Sequence, residues 1–283
     1  MRPRAGREIF DGRARTSSVA IREFIRGTVD WTRLESVARA VAERNDREQV
    51  HVAFLDADNW LSTPMVVDDE WFVKIVTPQN STVHALFTAG RNLGAFSSGT
   101  EGFFDHVSTP LALAEREFEA ASRMRTVGLN VPRPVDAFEV DGLGVLVLEY
   151  LPEFRTFNDL TDDEVREHAT DLFALLARMH DEDIAHGDLR GENLLVQDDD
   201  LFVIDATTVR EEGFAGARSY DLACALAELA PRIGPRDAVA AALDAYSVAD
   251  VLAAREFLDF VALRPDHDFD GNALKGEIEK AAT

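Results

Sequence analysis

Apolar and polar positions divide the chain into a strand-rich stretch and a longer helix-rich one. Between His51 and Val76 three short apolar runs, HVAFL, STPMVVD and EWFVKIV, have the length of strands, and the acidic turn Asp68, Asp69, Glu70 joins the last two as a predicted hairpin. Ahead of them, Asp30 or Thr32 can cap a helix, with Glu35 spaced to close a capping box on Thr32. Trp31, Leu34, Val37, Ala38 and Val41 give that helix one apolar stripe, so it should pack against the strands. The run LALAEREFEAASRMRTVG is strongly helical up to Gly128, with VPRP beyond it, and VLVLEYL reads as an apolar strand stopped by Pro152. Thr161 then caps a helix whose first turn, Asp162, Asp163 and Glu164, suits the positive end of the dipole. Val165, Leu172, Leu176 and Met179 line its buried face. Further on, RSYDLACALAEL reads as a buried helix ended by Pro231. Two amphipathic helices near Arg236 to Phe260 and a polar tail complete the pattern.

One stretch, HGDLRGENLLVQDDDLFVID from His186 to Asp205, has a different character. Its apolar runs NLLV and LFVID, separated by Asp198, Asp199 and Asp200, predict a tight β-hairpin. Asp188 and Asn193 precede one strand, and the other ends in Asp205, which the hairpin can bring back beside Asn193. Two carboxylates and a carboxamide then converge with no basic side chain between them. Hard oxygen donors of this kind suit Mg²⁺, which keeps several waters and shares substrate phosphates.

These residues resemble the catalytic loop and metal-binding strand of protein-kinase-like enzymes, whose pattern is H-x-D-L-x-x-x-N followed by a metal-binding Asp. Gly187, where most eukaryotic protein kinases have Arg, is similar to the RIO-type atypical kinases and to the aminoglycoside and choline phosphotransferases. The resemblance implies an α+β, two-lobed protein-kinase-like fold with a small antiparallel-sheet N-lobe and a reduced helical C-lobe. It implies that Asp188 orients or deprotonates the attacking hydroxyl, that Asn193 and Asp205 hold Mg²⁺ ions bridging the ATP phosphates, and that Arg190 brings positive charge to the γ-phosphate.

Read in that light, Lys74, in mid-strand between Val73 and Ile75, corresponds to the lysine that holds the α and β phosphates. Its carboxylate partner should lie on the following helix, among Glu115, Glu117 and Glu119. The RIO pattern has an acid and an aromatic eleven and ten residues before the helix-ending glycine, which selects Glu117 and Phe118. Glu149, Tyr150 and Leu151 resemble the hinge, where the backbone of Glu149 and Leu151 would read adenine. Asp221 resembles the acid that hydrogen-bonds the catalytic-loop backbone. Two departures stand out. DADNWLS occupies the place of the phosphate-covering loop and holds no glycine. Some thirty residues, with Gly90, Gly94, Gly99 and Gly102, separate the Lys strand from the Glu helix. A flexible insertion there is RIO-like, and Ser97 and Ser98 within it are candidate modification sites. After Asp205, Ala206 and Thr207 replace the usual Phe and Gly, no A-P-E follows, and fifteen residues reach Asp221, too few for a long activation segment.

Composition sharpens the picture. The formal charge is −23, and of 29 basic residues only Lys74, Lys275 and Lys280 are lysine. Such an acidic, Lys-poor surface looks like that of a haloarchaeal protein in molar salt, where a Debye length of roughly 3 Å hides the surface charge from ATP. It argues against nucleic-acid binding by the folded body. Residues 1 to 26 run the other way, with seven Arg and three acids: such a basic arm reads first as a partly disordered terminus lying on the protein's own acidic surface, and otherwise as the one part that would meet nucleic acid or an acidic partner. The single cysteine, Cys224 in LACALAEL, excludes an internal disulfide, fits a reducing cytoplasm and reads as a buried small hydrophobe. His168 and His180 lack the neighbours of a zinc site and read as packing or surface residues. No apolar run is long enough to span a membrane.

The expected organisation is a basic arm at 1–28, an N-lobe with flanking helix and insertion at 29–148, and a C-lobe with the catalytic loop at 149–283. The expected activity is transfer of the ATP γ-phosphate to a hydroxyl, with Ser or Thr on a protein, or on a ribosomal assembly particle, as the acceptor. A small-molecule phosphotransferase of aminoglycoside or choline-kinase type and an ATP-binding assembly switch with weak phosphotransfer are the alternatives.

Overall fold

A computed structural model describes residues 29–55, 62–79, 109–206, 213–264 and 267–283. The basic arm, most of DADNWLS, the glycine-bearing insertion with Ser97 and Ser98, and Thr207 lie outside the described residues.

Five antiparallel strands form the first lobe: β1 (Val52–Phe54), β2 (Thr63–Val67), β3 (Trp71–Val76), β4 (Pro134–Val140) and β5 (Leu143–Glu149), in the spatial order β1-β2-β3-β5-β4. The β2–β3 hairpin turns on Asp68 and Asp69, both at positive φ (55° and 52°), a conformation Asp tolerates better than most side chains. Met65, Val67, Trp71, Val73, Ile75, Phe138, Leu143, Val145 and Val147 bury one face of the sheet against helix α1 (Trp31–Arg44), which contributes Val37 and Val41. Of the two candidate caps Asp30 is the one used, its carboxylate accepting from the Arg33 N–H at 3.1 Å. Two details of α1 differ from expectation. Glu35 pairs with Arg39 one turn on instead of closing a box on Thr32. Because the helix starts at once after Asp30, Trp31 falls off the apolar stripe. It is 71% exposed and lies beside Phe54, ring centroids 5.9 Å apart.

Helix α2 (Pro110–Thr126), capped by Thr109, crosses the opposite face of the sheet, with Ala114 packed on Leu146 and Leu148. Gly144 permits this approach: a Cβ there would lie 2.0 Å from the Pro110 carbonyl oxygen. The strand of which Gly144 is part therefore sets the height of the helix that carries Glu117.

The second lobe is mainly helical: α3 (Asp162–Asp181), α4 (Phe214–Ile233), α5 (Pro235–Leu243), α6 (Val248–Arg255), the short α7 (Leu258–Val261) and α8 (Gly271–Ala281). A small sheet of β6 (Arg155–Thr156), β7 (Leu194–Gln197) and β8 (Asp200–Val203) lies over it, and β7–β8 is the hairpin read from NLLV and LFVID, turning on Asp198 and Asp199 at positive φ. Its core is one continuous cluster around Phe157, Phe173, Leu172, Tyr220 and Leu226, and Cys224 is buried within it. Helix α4 corrects an expectation. Pro231 does not end it, because a proline in the last turn leaves only one carbonyl without its helical donor; Gly234, at φ 91°, is the terminus. The polar tail is also helical. Asp270 caps α8 by accepting from the Asn272 and Ala273 N–H groups, and Leu274 and Ile278, one turn apart, are fully buried, each worth roughly 1.5–3 kcal/mol. Among the described residues no helix is long and apolar enough to cross a membrane.

Thr161 caps α3 in a full capping box: its hydroxyl accepts from the Glu164 N–H, and the Glu164 carboxylate accepts from the Thr161 N–H at 2.7 Å. The Thr161 hydroxyl also donates to that carboxylate, at 2.9 Å, and the Arg155 guanidinium first, then the Thr161 N–H and hydroxyl, pull the Glu164 carboxyl down from 4.5 to about 2. A carboxyl depressed on folding adds stability above its unfolded pKa and loses it as pH falls through the folded one. Glu164→Gln should therefore flatten the loss of melting temperature between pH 4.5 and 2, while lowering the melting temperature slightly at neutral pH. Parallel melts across that range would show it.

Candidate active site

Between the lobes the structure gathers the charged residues singled out above. Lys74 projects from β3 and is 5% exposed. Its ammonium donates to both oxygens of Glu117 on α2, at 3.1 and 2.8 Å, and to Asp205 Oδ1 beyond β8, at 2.8 Å. Of the three acids on α2, it is Glu117 that meets the lysine. Burial works against the charge on Lys74, but the Asp205 and Glu117 carboxylates outweigh it and raise the ammonium above its usual range, so it stays protonated. One cation here faces two acids. Burial, opposed by Lys74 and reinforced by Asp205, holds the Glu117 carboxyl above its ordinary value.

The segment that begins at His186 is held from beneath by α4. The buried Asp221 carboxylate accepts from the His186 N–H at 2.6 Å and the Gly187 N–H at 2.7 Å. Gly187 has φ 78°, where any L side chain costs roughly 1–2 kcal/mol, which is a backbone reason for glycine at this position. The His186 ring ties the two halves of the site: Nδ1 accepts from the Asp188 N–H at 3.2 Å, so Nε2 donates to the Ile204 carbonyl at 3.0 Å, next to Asp205. Burial lowers the His186 pKa and keeps the ring neutral, as this pairing requires. His180 is a packing residue, between Asp221 (3.3 Å) and the Tyr246 hydroxyl (2.6 Å).

Asn193 donates through Nδ2 to the Asp188 carbonyl at 2.9 Å, which orients its amide oxygen as an acceptor. Its own carbonyl accepts from the Ile204 N–H at 3.0 Å, bringing Asp205 alongside; Asp205 itself sits at φ 60°. The expectation that no basic side chain would stand among these groups is corrected. Arg264 Nη2 donates to Asp188 Oδ1 at 3.0 Å, Arg190 Nε lies 3.8 Å from Asp188 Oδ2, and Lys74 engages Asp205. An acid-rich site between buried walls draws cations from its own chain. Arg190 also reaches Glu192, at 3.4 Å. Neither Arg264 nor Tyr246 carried a local sequence signal.

At the hinge, the Glu149 N–H donates to the Arg133 carbonyl at 2.8 Å and its carboxylate accepts from the Arg133 N–H at 3.2 Å, while the Tyr150 N–H donates to Glu70 at 2.9 Å. Leu151 follows, buried. The amides of Glu149 and Tyr150 are thus committed to the sheet edge, and of Glu149 only the carbonyl can face a ligand.

The residues present fit Mg²⁺. Asn193 and Asp205 supply hard oxygen, and the surplus carboxylate around Lys74 calls for added positive charge. Such an ion takes one or two protein oxygens and completes its shell with phosphate and water.

Two lobes, a five-stranded sheet and this set of residues define a protein-kinase-like protein. Within that class, residues 102–212 match the family model described as RIO domain. The matched segment starts after β3, so the placement of Lys74 rests on the geometry. Among solved structures, the Rio2 kinase of Chaetomium thermophilum, in complex with ADP/Mg²⁺ and phosphoaspartate, is 15% identical, with 90% of this chain and 77% of that one covered and a TM-score of 0.50. A Haemophilus somnus protein described by resemblance as a fructosamine-3-kinase gives 12% identity, coverage of 88% and 98%, and a TM-score of 0.47. A type VIII aminoglycoside-3'-phosphotransferase gives 18% identity, coverage of 81% and 99%, and a TM-score of 0.47. No curated protein matches the sequence.

Proposed function

We propose that the chain is an ATP- and Mg²⁺-dependent phosphotransferase that moves the γ-phosphate to a hydroxyl, the acceptor being Ser or Thr on a cytoplasmic protein. The observation that carries this reading is the meeting of Lys74, Glu117 and Asp205, from β3, α2 and the end of β8, beside a loop that holds Asp188 and Asn193. Lys74, kept cationic and aimed by Glu117, binds the α and β phosphates. Glu149 and Leu151 border the adenine through the hinge backbone. Asn193 and Asp205 would hold Mg²⁺, which supplies neutralising charge to the phosphates when bound. Asp188 orients the acceptor hydroxyl and takes its proton as the oxygen bonds to the γ-phosphorus; the bond from that phosphorus to the β-bridging oxygen breaks, and its electron pair leaves with ADP. Arg190 brings positive charge to the transferred group.

Incubation with γ-labelled ATP and Mg²⁺ in molar KCl, with and without ribosomal extract, tests this reading. Label on protein Ser or Thr supports it, with extract proteins as acceptors if the partner is an assembly particle. Label found only on small molecules would move the assignment to the small-molecule kinases. Nucleotide binding without transfer would leave an ATP-dependent switch.

A further inference from the structure

Asp188 is held by a residue far away in the chain. Arg264 follows α7, 76 positions on, and bridges the Asp188 side chain to the floor of the lobe. Its Nη2 donates to Asp188 Oδ1 at 3.0 Å, while Nη1 donates to the Tyr220 hydroxyl at 2.7 Å and lies 3.7 Å from Cys224 Sγ. Tyr220 is fully buried on α4 and stands next to Asp221, the carboxylate that holds the His186 and Gly187 amides. Consecutive residues of one rigid helix therefore fix the loop twice, its backbone through Asp221 and its reactive side chain through Tyr220 and Arg264. A guanidinium suits this task because its planar fork can hold two acceptors at a set angle, which a lysine ammonium cannot.

The geometry points to Arg264 as a positioning residue for Asp188, which sets the carboxylate rotamer so that Oδ2 takes up the acceptor proton. This rests on the reading of Asp188 as the catalytic group. The alternative roles of Arg264 are separable from it. A purely structural strut would alter stability and leave the turnover of folded protein unchanged. An inhibitory clamp would give faster turnover when removed.

The test is steady-state phosphotransfer from γ-labelled ATP by the full chain and by Asp188→Asn, Arg264→Gln, Arg264→Lys and Tyr220→Phe, each with a thermal melt. Misplacing a reacting group by about 1 Å can cost on the order of 10²-fold, so Arg264→Gln should lower kcat by about that factor with KM for ATP unchanged. Arg264→Lys should recover part of the rate, since one donor can hold Oδ1 without also reaching Tyr220. Tyr220→Phe, which keeps the ring and removes the hydroxyl, should show a smaller fall in kcat alone. If Arg264→Gln does not fold, the Lys and Phe variants decide. Unchanged or raised kcat in the Arg264 variants, with Asp188→Asn inactive, overturns the positioning role alone. Full activity in Asp188→Asn overturns the assignment of the catalytic loop, whatever Arg264 does. An inactive wild-type chain overturns both.

Discussion

Asp188→Asn is expected to lower phosphotransfer by about 10²–10⁴-fold, the usual contribution of a positioned acid–base group, with the affinity for Mg-ATP almost unchanged. The amide keeps the size of the carboxylate, and its oxygen can still accept from Arg264, so the link that carries 3.0 Å in the wild-type chain survives in weakened form. What the amide lacks is basicity. The loop should keep its shape, because the Asp188 backbone groups make the local contacts: its N–H donates to His186 and its carbonyl accepts from Asn193. Single-turnover assays beside equilibrium nucleotide binding would separate the two quantities. Parallel loss of rate and of affinity would mean that Asp188 serves binding instead, and an undiminished rate would remove it from the chemistry.

Much of this site was legible because its parts have local signatures. The hairpin of β7 and β8 shows as two apolar runs across an acidic turn, and that turn determines where Asp205 returns. Lys74 shows because a lysine between two β-branched residues in a Lys-poor chain is conspicuous, and Asp221 through the resemblance of its helix to the one that holds the catalytic loop in kinase-like proteins. Arg264, Tyr220 and Tyr246 have no such signature. Their roles arise from contacts across 76, 44 and 66 positions, which only the packed lobe specifies. The same holds for helix α8, whose two buried residues in a polar segment are too few to make a periodic stripe visible. Pro231 misleads for a different reason. A breaker is strong in a helix interior and weak in the last turn, and the sequence alone does not say which applies. Strand β4 was also unmarked, since PVDAFEV mixes polar and apolar positions at the sheet edge, where one flank needs no burial.

Asp205→Asn should abolish Mg²⁺-dependent nucleotide binding while leaving the ligand-free fold almost as stable. Two effects meet at this residue, and they point in opposite directions. For a divalent cation the carboxylate is the one charged donor of the pair formed with Asn193, and an amide oxygen in its place leaves the ion two neutral ligands, a poor match for a hard cation that dehydrates reluctantly. For the ligand-free chain the loss is small. Lys74 keeps both oxygens of Glu117, at 3.1 and 2.8 Å, so no buried cation is left uncompensated, and the new amide oxygen can still accept from the ammonium. Burial is the main reason the Glu117 carboxyl is held high, and removing one of two acids around one cation relieves the repulsion that adds to it, which offsets part of the lost ion pair. The backbone at φ 60° suits Asn as well as Asp, so the turn itself need not move. Calorimetric titration with ATP at several Mg²⁺ concentrations, beside thermal melts without ligand, would read both effects. A mutant that binds Mg-ATP as tightly as the wild-type chain would remove Asp205 from the metal site, and one that unfolds without ligand would make it instead a structural partner of Lys74.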